Sequence, residues 1–189
     1  MQSLQGQLLV ATTRLIDPNF YRTVVLIIQH DEEGAFGVVL NRPSRKSVSE
    51  LWEEICDEPC GHAGPVYIGG PVSGPVLALH TDVVSSQDEI LPGLFLAADR
   101  DQLRRLICDH NEDARHLVRV YVGYSGWGPG QLEKELAEGS WHVASASLDD
   151  VFMEGECGGL WETVTRRLGR SVLAPVLDAV PVPDDPSLN

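Results

Sequence analysis

Gly123-Tyr124-Ser125-Gly126-Trp127-Gly128-Pro129-Gly130-Gln131-Leu132-Glu133 joins two segments of different pattern. Before it, residues 117–122 form an apolar, β-branched run with the character of a strand. After it, residues 129–138 open on Pro and continue with helix formers. The reading is a strand–loop–helix junction, a place where α/β proteins seat ligands. Glycine reaches φ > 0 without steric cost, so Gly126, Gly128 and Gly130 suit a tight, exposed turn. Amides opening the following helix would then face an anion.

Three known signatures fail on this stretch. A phosphate-binding P-loop requires Lys followed by Ser or Thr after its last glycine, and Gly130 is followed by Gln131-Leu132. The dinucleotide pattern G-x-G-x-x-G, started at Gly126 or Gly128, meets Gln131 or Glu133 where its third glycine belongs. The hydrolase elbow G-x-S-x-G fits Gly123 and Ser125 but meets Trp127 at its last position. What remains is a structural turn in which Trp127 packs on its neighbours.

Outward from the junction, residues 8–12 read as a first strand, and Asp17-Pro18-Asn19-Phe20 as a turn. Residues 23–28 are β-branched and almost wholly apolar, as in a strand buried on both faces. The acidic turn Asp31-Glu32-Glu33-Gly34 joins it in a hairpin to residues 35–40, which Asn41-Arg42-Pro43 ends. Ser47-Val48-Ser49-Glu50 is a capping box opening a helix to about Ile55, with Val48, Leu51, Trp52 and Ile55 on one face. Residues 66–68 form a short strand, Gly69-Gly70-Pro71 turns it, and residues 76–79 are its expected hairpin partner. Asp88-Glu89 is an expected acidic loop, residues 94–97 a strand, and Asp99 the cap of a helix carrying Leu103, Leu106 and Ile107 inward. Residues 141–146 are a strand, and a last helix runs from Gly159 to a stop at Gly169. The expected fold is α+β: a mixed, mainly antiparallel sheet, barrel-like in its closure, packed by helices. Residues 1–174 form one compact domain, and the prolines of residues 175–189 make a tail.

The chain of 189 residues is 43% hydrophobic with a net charge of −14, and its mean hydropathy is −0.07. No apolar run approaches the roughly 20 residues of a membrane span, and the first six residues lack a basic, then apolar, leader. The expectation is a cytoplasmic protein. Its negative field opposes binding to phosphate backbones. Arg42, Arg45 and Lys46, then Arg100, Arg104 and Arg105, then Arg166, Arg167 and Arg170 are short basic clusters flanked by acids, so direct nucleic-acid binding is not expected.

Cys56, Cys60 and His62 offer ligand chemistry for zinc or a reactive thiol pair, but their spacing is not Cys-x-x-Cys, and incidental thiols on an acidic loop are the plainer reading. Cys108 reads as core, and Cys157 is the remaining thiol. His80 lacks a nucleophile to serve. Glu133, Glu135 and Glu138 read as a solvated helix face, and Asp149, Asp150 and Glu154 lack a calcium-loop pattern. No catalytic residue, cofactor site or metal site is assigned.

The junction motif resembles the signature of the bacterial YqgE/AlgH family. Further matches are Gly6-Gln7-Leu8-Leu9-Val10-Ala11 leading to Leu15-Ile16-Asp17-Pro18-Asn19-Phe20, Gly34-Ala35-Phe36-Gly37-Val38-Val39-Leu40-Asn41-Arg42-Pro43, and Gly69-Gly70-Pro71-Val72. Trp161 and Leu168-Gly169 fit the family's terminal helix. The resemblance covers residues 6–169 and implies a compact α/β protein without an established activity, one member of which lent the family a name as a transcriptional-type regulator of exopolysaccharide production. Relatives often carry Ala at the position of Ser125, which argues against a nucleophile there, and the Cys56–Cys60 segment matches no family motif.

The expected function is therefore a non-enzymatic binding or regulatory protein acting through a protein or small-molecule partner, as a monomer or weak homodimer. Its expected surface gathers Asp17 and Asn19, Arg22, Asn41 and Arg42, Gly69 and Gly70, and Gly126, Trp127, Gly130 and Gln131. The alternative is a hydrolase or nucleotide-handling enzyme that uses the Gly-rich turn as an anion cradle.

Overall fold

Alternation along the strands decides how this chain folds, because both faces of its sheet are covered. The structure, a computed structural model, describes residues 2–83, 88–108, 117–153 and 159–179. Its strands are β1 (Gln7–Ala11), β2 (Val24–Asp31), β3 (Gly34–Val39), β4 (Pro43–Ser47), β5 (Pro65–Ile68), β6 (Val72–His80), β7 (Asp88–Leu91), β8 (Leu94–Ala97), β9 (Val118–Trp127) and β10 (Trp141–Ser145). Its helices are α1 (Val48–Cys56), α2 (Arg100–Ile107), α3 (Gln131–Ala137), α4 (Leu148–Phe152) and α5 (Gly159–Ala179). The strands form one curled sheet in the order β10-β1-β2-β3-β9-β6-β8-β7, with β5 beside β9 and β4 beside β5. All pairs are antiparallel except β5 with β9. The molecule is a single α+β domain, as its sequence pattern implies.

Leu8, Val10, Val24, Leu26, Val38, Leu40, Leu79 and Tyr121 face one side, where Val151 of α4 and Leu160 and Val164 of α5 cover them. The intervening residues Leu9, Val25, Ile27 and Val39 face the other side with Trp127, Trp141 and Leu132 of α3. Further along that second face, Ala78, Ala97 and Val120 pack against Val48 and Trp52 of α1 and Leu103, Leu106 and Ile107 of α2. A strand buried on both faces has no polar positions to spare, which explains the run Val24-Val25-Leu26-Ile27-Ile28. The capping box at Ser47 and Glu50 and the Asp99 cap of α2 form as the sequence implies.

Several local expectations are overturned. The Gly-rich stretch is mostly strand: β9 runs to Trp127, pairing Ser125, Gly126 and Trp127 with Gly37, Phe36 and Ala35 of β3. Only residues 128–130 turn, and α3 starts at Gln131. β5 and β6 are not a hairpin; β9 lies between them, pairing with β5 in parallel and with β6 antiparallel. Asp88-Glu89 lies in β7, paired with β8. The helix expected to stop at Gly169 continues to Ala179, through Pro175. Ile55 is exposed rather than on the buried face of α1.

The crossover of β5 under β9 has a backbone cause. The Gly69 amide donates to the Val122 carbonyl at 2.9 Å, and its carbonyl accepts from the Val39 amide at 2.8 Å. A Cβ on Gly69 would lie 2.3 Å from the Gly123 carbonyl oxygen, and Gly123 itself bends β9 at φ +69°. Only glycine allows two backbones this close.

Candidate functional site

The loop after β1 is held by an Asx turn: the Asn19 amide donates to Asp17 Oδ1 at 2.7 Å. The next residues lead to Arg22, in the left-handed region at φ +53°. Asn41, buried at the end of β3, holds that bend from both sides. Its Nδ2 donates to the Arg22 carbonyl at 2.8 Å, and its Oδ1 accepts from the Val24 amide at 3.0 Å. Asn41 thus clamps this loop to the sheet. The Arg22 guanidinium lies over the rings of Tyr21 and Trp161, at 5.5 and 5.2 Å. Arg42 donates to the Tyr21 carbonyl and stays partly exposed.

Three of the four expected loops meet. Pro18 and Asn19, Arg42 and Pro43, and Ile68, Gly70 and Pro71 line a cleft of about 330 Å³. Ile68 is 42% exposed and Val72 38% exposed. A shallower hollow of about 290 Å³ continues the cleft over Ile68, Pro71 and Val72. Gly69 lies buried beneath it. Gly126, Trp127, Gly130 and Gln131 do not line this cleft; Gly126 and Trp127 pair with the start of β3, and Gly130 and Gln131 follow them.

Around the signature, the side chains satisfy one another. Gln131 Oε1 accepts from the Gly128 amide at 3.1 Å, and Gln131 Nε2 donates to Glu135 Oε1 at 2.9 Å. Glu135 Oε2 accepts from Trp127 Nε1 at 2.9 Å and from Trp141 Nε1 at 2.8 Å. The two indoles pack edge to face at 6.1 Å. Glu135 is therefore not the solvated face the sequence implies. Glu133 Oε1 meets His30 Nε2 at 3.0 Å, while His30 Nδ1 accepts from the Leu4 amide, which fixes the tautomer. The Glu133 carboxyl is held below its usual value by its own backbone amide first and by His30 after it. Ser125, fully buried, donates to the Gly69 carbonyl at 3.1 Å. Its hydroxyl is committed to the crossover, which rules out the elbow reading.

The remaining sequence candidates separate. Cys60 Sγ donates to the Ile107 carbonyl at 3.2 Å, and Cys56, Cys60 and Cys108 pack against the core under α1 and α2. Among the described residues no group of three His, Cys, Asp or Glu side chains is placed to hold a metal ion. Cys157 and Glu154 lie outside the described residues. Asp150 is buried, accepts from the Ser147 amide and hydroxyl, and pairs with Arg167 at 3.0 Å. His80 is fully buried beside Phe95, at 5.9 Å between centroids.

The sequence reading missed a second hollow. Pro43, His62, Pro65, Tyr67, Arg119 and Phe152 contribute to a cavity of about 550 Å³. Arg119 is only 7% exposed. Its Nη2 donates to the Met153 carbonyl at 2.9 Å, and its guanidinium lies 4.3 Å from the centre of the Tyr67 ring. A lone arginine within the apolar pattern of residues 117–122 was the available signal.

Geometry and topology together define an α+β protein built on a curled, mainly antiparallel sheet, with its loop cleft at the β3–β4 and β5–β6 turns. The chain belongs to the AlgH-like family, whose pattern it matches over residues 8–173. It is 43% identical over 170 residues to a UPF0301 protein of Chlorobaculum tepidum, covering 87% of this chain and 86% of that one. A UPF0301 protein of Streptomyces coelicolor is 42% identical over 200 aligned positions, covering 100% of this chain and 97% of the relative. The solution structure of the AlgH protein from Pseudomonas aeruginosa superposes with a TM-score of 0.74 at 29% identity, over 96% of each chain. No helix among the described residues is long and apolar enough to cross a membrane.

Proposed function

We propose that this protein is a non-enzymatic binding protein with a regulatory role, and that a partner protein seats on the cleft at the 17–20, 41–43 and 68–71 loops. The observation that carries this reading is the convergence of three loops, distant in sequence, around Arg42 and the exposed Ile68. Loops held by a rigid scaffold are where proteins concentrate recognition. An open cleft with apolar rims and one guanidinium suits an apolar side chain flanked by an acidic group. The alternative, an enzyme with an anion cradle in the Gly-rich turn, is disfavoured because Gln131 already occupies the Gly128 amide.

A photo-crosslinking residue at position 68 tests the proposal in cells that express the protein. The expected result is one dominant adduct, lost on Arg42→Glu or Val72→Asp and absent when the probe sits at Glu32. Equal labelling from positions 68 and 32, or an adduct indifferent to both substitutions, would overturn it.

A further inference from the structure

The Arg119 cavity is separate from the proposed partner cleft, although Pro43 lines both. Period-two alternation along β9 puts Val118 and Val120 toward α1 and α2, and Arg119 and Tyr121 toward the opposite face. Tyr67 pairs in register with Tyr121, and their rings lie 5.7 Å apart. Arg119 is thus a cation in a central strand, more than nine-tenths buried. It holds one carbonyl and one aromatic face and lies beside the Tyr121 hydroxyl, and among the described residues no carboxylate lies within 4.0 Å of it. Arginine cannot shed its proton, and a buried charge without a counter-charge is costly. Beside a cavity, such a guanidinium is a candidate anchor for an anionic ligand.

We propose that this cavity binds a small organic acid, one carboxylate on an apolar body, with Arg119 as its anchor. Size, charge and wall chemistry each narrow the ligand. The cavity's volume, about 550 Å³, falls among those of small-molecule sites, roughly 300–1,000 Å³. Arg119 is the only permanently charged side chain among its described lining residues, so it matches a single negative charge. The net charge of −14 further selects against polyanions. The Tyr67 and Phe152 rings offer an apolar wall to the body of the acid. The guanidinium fork suits a planar carboxylate. The Tyr121 hydroxyl is fully buried on the same face behind the cavity lining, close enough to Arg119 for the guanidinium to act on it. Burial pushes its phenol far up, so it remains a neutral donor.

The test is a titration of the ¹⁵N-labelled full chain with benzoate and hexanoate, against benzamide and inorganic phosphate, followed by amide chemical shifts. Saturable shifts with at least one carboxylate, centred on residues 65–67, 118–120 and 152–153, are expected. Benzamide should bind at least about tenfold more weakly, since it lacks the charge. Arg119→Met should abolish the response, and Arg119→Lys should retain part of it. Phe152→Trp fills the cavity with Arg119 intact, and should also abolish it in a chain whose circular dichroism is unchanged. The proposal is overturned by no saturable shift with either acid, by equal affinity for benzamide, by a response to phosphate alone, by shifts centred on residues 18–19, 42 and 70–71, or by undiminished binding in Phe152→Trp. The crosslink at position 68 is a separate readout, so failure of the Arg119 site leaves the proposed partner cleft standing, and failure of the crosslink leaves the Arg119 site standing.

Discussion

Glu135 shows how one side chain in this molecule satisfies several others. A carboxylate has acceptor capacity on both oxygens, and here one oxygen takes two indole N–H groups while the other takes the Gln131 amide. Trp127 and Trp141 are 5% and 3% exposed, so their N–H groups have no ready replacement in water. A buried donor left without a partner costs about 1–3 kcal/mol. Glu135→Leu should therefore lower stability by about 2–4 kcal/mol in urea unfolding at constant m-value, and Glu135→Gln by less, since one amide oxygen remains. A change within experimental error for Glu135→Leu would show that the indoles find other acceptors.

Among the elements, the β5–β9 crossover organises the fold. It places the Gly70-Pro71 turn beside Arg42, and so assembles the partner cleft. Gly69 is at the contact, where an added Cβ meets the Gly123 carbonyl oxygen. Gly69→Ala should destabilise by about 1–3 kcal/mol, the usual cost of forcing extra volume into a packed site. Gly61→Ala is the matched control: a Cβ there meets nothing within 4 Å. Equal thermal midpoints for the two variants would contradict the close approach. The α4–α5 layer has its own tie, the buried Asp150 gripped by Arg167, whose Nη2 also reaches the Ser145 carbonyl at 3.0 Å.

At the scale of the whole molecule, a modest share of the pH dependence of stability in acid is expected from three exposed carboxyls held low. Asp31 lies below its ordinary 3.8, chiefly through the Gln29 side chain. Glu50 and Glu133 lie below 4.5, through the Ser47 amide of the capping box and the amide of Glu133 itself. A depressed folded value means that the folded state binds fewer protons than the unfolded state. The stabilisation is therefore complete above the unfolded values and is lost as pH falls through the folded ones. The double variant Glu50→Gln, Glu133→Gln should show a flatter loss of thermal midpoint below about pH 4.5 than the parent, with parallel curves from pH 5 to 7. Parallel curves throughout the acid range would remove these groups from the account.

Wherever a single local rule acts, the sequence is enough. The capping box at Ser47 and Glu50, the Asp99 cap, the apolar β2 and the hairpin to β3 follow from side-chain period and hydrogen-bond inventory, which neighbours in the chain decide. The α+β class follows from the same alternation. Pairing between distant strands does not, because local pattern does not specify which strand comes to lie alongside. Hence β5 and β6 read as a hairpin while β9 actually separates them, and the glycines of residues 123–127 read as a turn while they belong to a strand that passes close to its neighbours. Three of the expected surface loops do gather, because each follows a strand end that the sheet brings to one place. The Arg119 cavity and the Glu135 clamp were hidden for the same reason. A buried charge or a shared acceptor is defined by what surrounds it, and only the closed sheet with its helices supplies those surroundings.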